Sequence, residues 1–249
     1  MELDLLTLFW LFLAGGLAGF VDSIAGGGGI ITLPALLAAG IPPHQALATN
    51  KLQSSFGSFT AAMNYARLGL MNPKELLLGG LFTLIGAATG ATVVQYFPAD
   101  RLESLIVVML IVIFIYTALT PKLGFEPRPH RIPHGLFYTI FGLLIGFYDG
   151  FFGPGTGSFW TMALVLLLGL DLKAATAQTK LFNFTSYIVS LAVFIYAGLV
   201  LWVAGVVMGM GQIVGAFLGS TLVHKREVKF VRVFFLIVTG ATILKLILF

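Results

Sequence analysis

The chain contains no cysteine, which excludes disulfides, thioether-linked haem and thiolate metal centres and leaves the redox compartment unread. Charge is scarce too. Only 10% of the 249 residues are Asp, Glu, Lys or Arg, against about 25% in a water-soluble domain. No basic residue precedes the first apolar run, where the charges are Glu2 and Asp4, so that run reads as a retained first helix and not as a signal peptide. The four histidines, His44, His130, His134 and His224, are spread without ligand spacing. No metal and no other cofactor is expected from them.

What is present is apolar: 58% of the residues are hydrophobic and the mean hydropathy is +1.00. Apolar stretches recur over the full length, and no segment is left for a soluble domain. Unpaired backbone groups in hydrocarbon cost several kcal/mol each, so only helices or closed barrels can span a bilayer. Unbroken runs without period-2 alternation select helices. The expected fold is an all-α polytopic membrane protein with lipid as its solvent. The net charge of +4 fits cytoplasmic loops that orient the chain better than it fits nucleic-acid binding.

The chain repeats itself. The stretch from Gly19 to Gly29, with Gly19-Phe20-Val21-Asp22 at its head, has its echo in the stretch from Gly146 to Gly157, headed by Gly146-Phe147-Tyr148-Asp149. Ala48-Thr49-Asn50-Lys51-Leu52 matches Ala177-Gln178-Thr179-Lys180-Leu181, Tyr65-Ala66 matches Tyr196-Ala197, and Gly86, Ala87 and Gly90 match Gly215, Ala216 and Gly219. Four blocks in one order point to duplication. The expected organisation is an N-terminal membrane repeat over 1–125, a cytoplasmic linker over 126–134 and a C-terminal repeat over 135–249.

Turn signals divide each half into five apolar segments: 5–21, 24–39, 46–68, 76–97 and 102–120, then 135–151, 156–170, 175–199, 202–223 and 230–248. The second of each half is short, so it is either a crossing or a half-helix that enters and returns; the count lies between eight and ten. Lys and Arg collect in cytoplasmic loops. Leaving aside Lys51 and Lys180, ten crossings place ten basic residues on one side and two on the other, whereas eight divide them six and six. Ten crossings therefore put both termini outside and make the halves antiparallel, the inverted-repeat plan of many secondary transporters.

Two glycine clusters interrupt the apolar runs, Gly26 to Gly29 and Gly153-Pro154-Gly155-Thr156-Gly157. Helices should unwind there, and unwound backbone at membrane depth must be buried in protein or line a cavity. Each break would bare the N-terminus of the next half-helix, near Ile30 or Ser158, whose amides and dipole favour an anion. Gly27, Gly28, Gly29, Gly155 and Gly157 are thus candidate contacts. Gly15, Gly16, Gly86, Gly90, Gly215 and Gly219 read instead as close helix packing.

Lys51 and Lys180 fall at equivalent places inside apolar segments, where an ammonium costs about 2.5 to 3.5 kcal/mol. Thr49, Asn50 and Gln53 flank the first, and Gln178, Thr179 and Asn183 the second. Charge from the lysines and direction from amides and hydroxyls suit an oxyanion. Asp22 and Asp149, each just ahead of a break, are proton carriers on one reading. On the other they are caps of the broken helices, or partners of the two lysines.

These motifs resemble the sulfite exporter TauE/SafE family. The resemblance rests on the first glycine-rich stretch with Leu33-Pro34-Ala35-Leu36, Gly40 and Ala48-Thr49-Asn50-Lys51, and on the second stretch from Gly146 to Gly157. It implies a bacterial cytoplasmic-membrane transporter of sulfite or an organosulfonate, in a family usually described with seven or eight crossings. The expected partners are a small anionic solute and lipid, with no nucleic acid; homo-oligomerisation stays open. An anion channel is the alternative. An intramembrane aspartyl protease built on Asp22 and Asp149 fails because the second motif has Ser158 where its acid belongs, so no enzymatic activity is expected.

Overall fold

The computed structural model describes residues 3–119 and 131–225. Among these the regular structure is helical, without strands: α1 (Leu5–Ala25), α2 (Gly29–Ala38), α3 (Pro43–Arg67), a short 3-10 turn (Pro73–Leu76), α4 (Leu77–Val94), α5 (Ala99–Leu119), α6 (His134–Phe151), α7 (Thr156–Leu167), α8 (Leu172–Tyr196) and α9 (Trp202–Lys225). Nine of the ten expected segments are thus helices with ends shifted by a few residues. The tenth, 230–248, lies outside the described residues, as does most of the expected linker.

Local chemistry sets the ends. Asp4 caps α1 by accepting the Thr7 amide at 2.8 Å, and the Thr7 hydroxyl and amide hold its carboxyl below the usual range. Asp171 caps α8 through the amides of Lys173 and Ala174, at 2.9 and 3.0 Å. Such caps satisfy donors that a helix start leaves open. Pro43 opens α3, where its missing N–H is no loss. α1 stops at Gly26, whose φ of 77° is a left-handed conformation natural to glycine.

Four helices, α1, α4, α8 and the Trp202–His224 part of α9, are long and apolar enough to cross a membrane by length and composition. The 10 residues of α2 and 12 of α7 reach only about 15 and 18 Å at 1.5 Å per residue. That is about half of a 30 Å hydrocarbon core, so neither spans alone. The 25-residue α3 has the length, but Asn50, Lys51, Gln53, Ser54, Ser55 and Ser58 lower its hydropathy, and all six are buried inside the protein. Outward faces carry the reverse pattern, with Leu5, Trp10, Leu77, Leu81, Val203, Val214 and Phe217 exposed, as a lipid solvent permits.

The packing interlocks the two halves of the chain. α1 lies along α9, with Gly15 against Met208, Gly19 against Gln212 and Gly219 against Phe20 and Ser23. α3 follows α9 in the same sense: Leu52 meets Gly205, Phe56 meets Gly209, and the Asn64 amide donates to Ser220 at 2.8 Å. Rising numbers meet rising numbers in both pairs, so α1, α3 and α9 point one way. α4 and α6 are likewise parallel, with Phe82, Thr83 and Ala87 facing Gly142, Gly146 and Gly150. Because α1 and α3 share a direction, α2 and its flanking turns carry the chain back between them.

Candidate functional site

The two breaks touch. A Cβ built on Gly157 would lie 2.9 Å from the Gly26 carbonyl oxygen, and one on Gly29 would lie 3.1 Å from Cα of Pro154. The Ser158 hydroxyl closes the contact by donating to the Ala25 carbonyl at 2.9 Å. Only residues without a side chain allow two backbones so near each other.

Against this junction lie two ion pairs, each crossing between the halves. The Lys51 ammonium of α3 stands 2.9 Å from Asp149 Oδ1 of α6 and also donates to the Asp149 carbonyl oxygen. The Lys180 ammonium of α8 stands 2.9 Å from Asp22 Oδ2 of α1 and also donates to the Asp22 carbonyl oxygen. Both lysines and Asp149 have no exposed surface, and Asp22 retains 8%. The helix-end carbonyl and the carboxylate of one aspartate thus grip one ammonium, a charge-assisted arrangement that offsets burial. The Tyr187 ring lies 5.1 Å from the Lys51 ammonium and adds a cation–π contact.

Asp22 also fulfils the capping role, because its Oδ1 accepts the Gly28 amide ahead of α2 at 3.2 Å. Capping and pairing therefore coexist in one carboxylate. The amides expected to greet an anion are engaged locally: Ile30 bonds to the Gly27 carbonyl at 3.1 Å and Ser158 to the Gly155 carbonyl at 2.9 Å. The bare cradle expected from the sequence is, at those amides, closed by the first helical turn itself.

The other predicted residues divide between the junction and its surroundings. Asn50 accepts from Thr32 at 2.5 Å and from Gln53 at 2.8 Å, and Gln53 takes a 2.6 Å bond from Gln212 of α9. Asn183 lies beside Gly157 and so at the junction, buried with neither amide atom bonded. Thr49 is drawn elsewhere, accepting the Leu201 amide at 3.1 Å, while Thr179 meets Thr161 of α7 at 3.2 Å. Gln178 is half-buried, its carbonyl oxygen without a hydrogen bond. Gly155, at φ 82°, sets the turn into α7.

Sequence reasoning missed Gln212, Thr32, Tyr187, Ser186 and Ser190. The repeat-equivalent position of Gln212 holds Thr83, which packs on Gly146 as Gln212 packs on Gly19 but carries no amide, so duplication gives no hint of the Gln212–Gln53 bond. Asn183, Ser186, Tyr187 and Ser190 do carry a signal, a polar stripe recurring every three or four residues along an apolar α8.

The arrangement of paired buried charges at a two-fold glycine break can be set beside known proteins. The family model described as sulfite exporter TauE/SafE matches residues 11–246. The chain belongs to the TauE/SafE family. Its similarity to known proteins covers most of its length: it is 46% identical over 243 residues to Escherichia coli K12 YfcA, covering 97% of this chain and 90% of that one. A Sinorhizobium protein, ORF9, is 45% identical over 240 residues, covering 96% and 92%, and a Haemophilus influenzae protein is 41% identical over 230 residues, covering 92% and 89%. All three are described as probable membrane transporter proteins. TauE/SafE membership together with four long apolar helices makes this a membrane protein of a transporter family.

Proposed function

We propose that the chain is a secondary transporter that moves a small anion, sulfite or an organosulfonate, across the bacterial cytoplasmic membrane by rocking one half against the other. The observation that carries this reading is the pair of buried ion pairs joining the halves where the two breaks meet. A solute anion competes with Asp149 or Asp22 for an ammonium. Once a lysine turns to the solute, a bond between the halves is lost, so occupancy and the inter-half contact are linked. Binding that differs between two states is what a conformational cycle requires. The equivalent helices α3 and α8 run in opposite senses, with Lys51 against Tyr187 and Phe59 against Phe184, which supports an inverted pair of repeats around a central site.

The test is flux in liposomes for wild type and for Lys51→Ala and Lys180→Ala, using sulfite, sulfoacetate, sulfate and a carboxylate. The expected outcome is saturable movement of a sulfur oxyanion that falls by about tenfold or more in either variant, the scale of one lost charge-assisted bond. Absence of flux for every sulfur oxyanion, or full flux in both folded variants, would refute the reading.

A further inference from the structure

The two lysine–aspartate pairs are equivalent in sequence, yet their neighbours differ. Three residues after Lys51 stands Ser54, and three after Lys180 stands Asn183. Residues at that spacing share a helix face. Ser54 is satisfied, its hydroxyl oxygen accepting from Gln53 Nε2 at 2.7 Å. Asn183 is not. It has no exposed surface, and neither its carbonyl oxygen nor its amide nitrogen has a hydrogen-bond partner among the described residues. Exchanging the two amide atoms would change nothing, because both are open.

Asn183 also shares its ground with an ammonium. Its Nδ2 lies 3.1 Å from where a Cβ of Gly157, in the first turn of α7, would stand, and that Cβ would be 2.5 Å from Gly26 Cα. The Gly26 amide donates to the Asp22 carbonyl oxygen at 2.9 Å, the same oxygen that Lys180 bonds. Amide and ammonium therefore both meet the turn that ends α1, beside the positive end of α7. This pair is also the one with an opening. Asp22 retains 8% exposure, whereas Lys51 and Asp149 retain none, and its Oδ1 has the Gly28 amide as a second partner, so it is not left bare when Lys180 turns to a solute.

A buried amide left unpaired is costly and calls for a cause. A carboxamide presents N–H donors and a carbonyl acceptor together. A fully deprotonated oxyanion brings acceptors alone; it would satisfy Nδ2 and set its lone pairs against Oδ1. A solute that carries an O–H beside its anionic oxygens satisfies both atoms at once. We infer that Lys180 holds the anionic end of the solute while Asn183 reads a hydroxyl on it. The favoured solutes are then oxyanions with a donor of their own, hydrogensulfite or a hydroxylated sulfonate, and sulfate or a plain alkanesulfonate is disfavoured. Asn183 sets this specificity, and its repeat equivalent Ser54 does not. The inference rests on the anion-transport reading above and narrows it.

The test is equilibrium binding to the full chain in nanodiscs of hydroxyethanesulfonate and ethanesulfonate, which differ by a single hydroxyl, with liposome flux of the same pair and of hydrogensulfite. Wild type should bind the hydroxylated sulfonate more tightly by about tenfold or more, the scale of a buried acceptor left unpaired. Asn183→Leu and the smaller Asn183→Ala should abolish that preference, and Ser54→Ala should keep it. Because the readout is a ratio taken on one sample, loss of folded protein does not imitate the result. Equal wild-type affinities, as when Asn183 merely holds a water, would overturn the inference and leave the anion reading standing. So would a preference that survives both Asn183 substitutions or vanishes equally in Ser54→Ala. Failure of both sulfonates and of hydrogensulfite to bind or move would sink the two readings together.

Discussion

Lys51 has no exposed surface, so it depends wholly on the carboxylate that meets it. Removing one member of such a pair strands the other, at a cost of about 3–5 kcal/mol, whereas replacing both with apolar groups of similar volume is often neutral. Lys51→Ala should therefore lower thermal stability markedly in detergent, and Lys51→Met combined with Asp149→Leu should recover most of it. An equal loss in single and double variants would assign the cost to packing instead of charge. The sequence made Asp22 equivalent to Asp149 and Lys51 to Lys180, yet it left open which aspartate meets which lysine. That choice is made by the docking of the halves, across 98 and 158 residues of chain, and no local pattern encodes it. Ser186 is marked more faintly, by the helical spacing it shares with Asn183, Tyr187 and Ser190 and by nothing in its own neighbourhood.

At the scale of the helices, glycine decides how closely neighbours approach. A Cβ on Gly146 would come within 2.6 Å of the Thr83 carbonyl oxygen of α4, whereas one on Gly135, in the same helix, would meet nothing within 4 Å. Gly146→Ala should then destabilise by about 1–3 kcal/mol, the typical cost of overpacking. Gly135→Ala should be neutral or stabilise by about 0.4–1 kcal/mol through the unfolded chain. Thermal unfolding of the two variants side by side separates these effects; equal behaviour would mean that α4 and α6 yield easily. Helix positions were readable because apolar run length is a local property, and the packing role of Gly15, Gly86, Gly90, Gly215 and Gly219 was readable from spacing. The engagement of the Ile30 and Ser158 amides was not, since the sequence marks where a helix breaks and not how its next turn closes on itself.

For the whole molecule the decisive quantity is the parity of crossings. Ten crossings place the α4–α5 and α8–α9 turns on the same, outer side, whereas eight place them on opposite sides. Tyr96 and Tyr196 mark these turns and are 83% and 96% exposed, and the chain has no cysteine of its own. Single variants Tyr96→Cys and Tyr196→Cys should both react with a membrane-impermeant maleimide in intact cells, and Arg131→Cys only after permeabilisation. Labelling of one tyrosine site without the other would establish eight. The ten-crossing plan rests on charge bias in the loops; the common direction of α1 and α3 agrees with it, although α2 and α7 are too short to span by length alone. The exchange of charges between the halves also bears on how such a chain can change over generations. Asp22 is answered by Lys180 and Asp149 by Lys51, so neither half holds a complete set of counter-charges. A drift at one of these positions can be compensated only in the opposite half, and a lineage that lost one copy would have to pair its remaining copy with a second molecule to stay neutral inside.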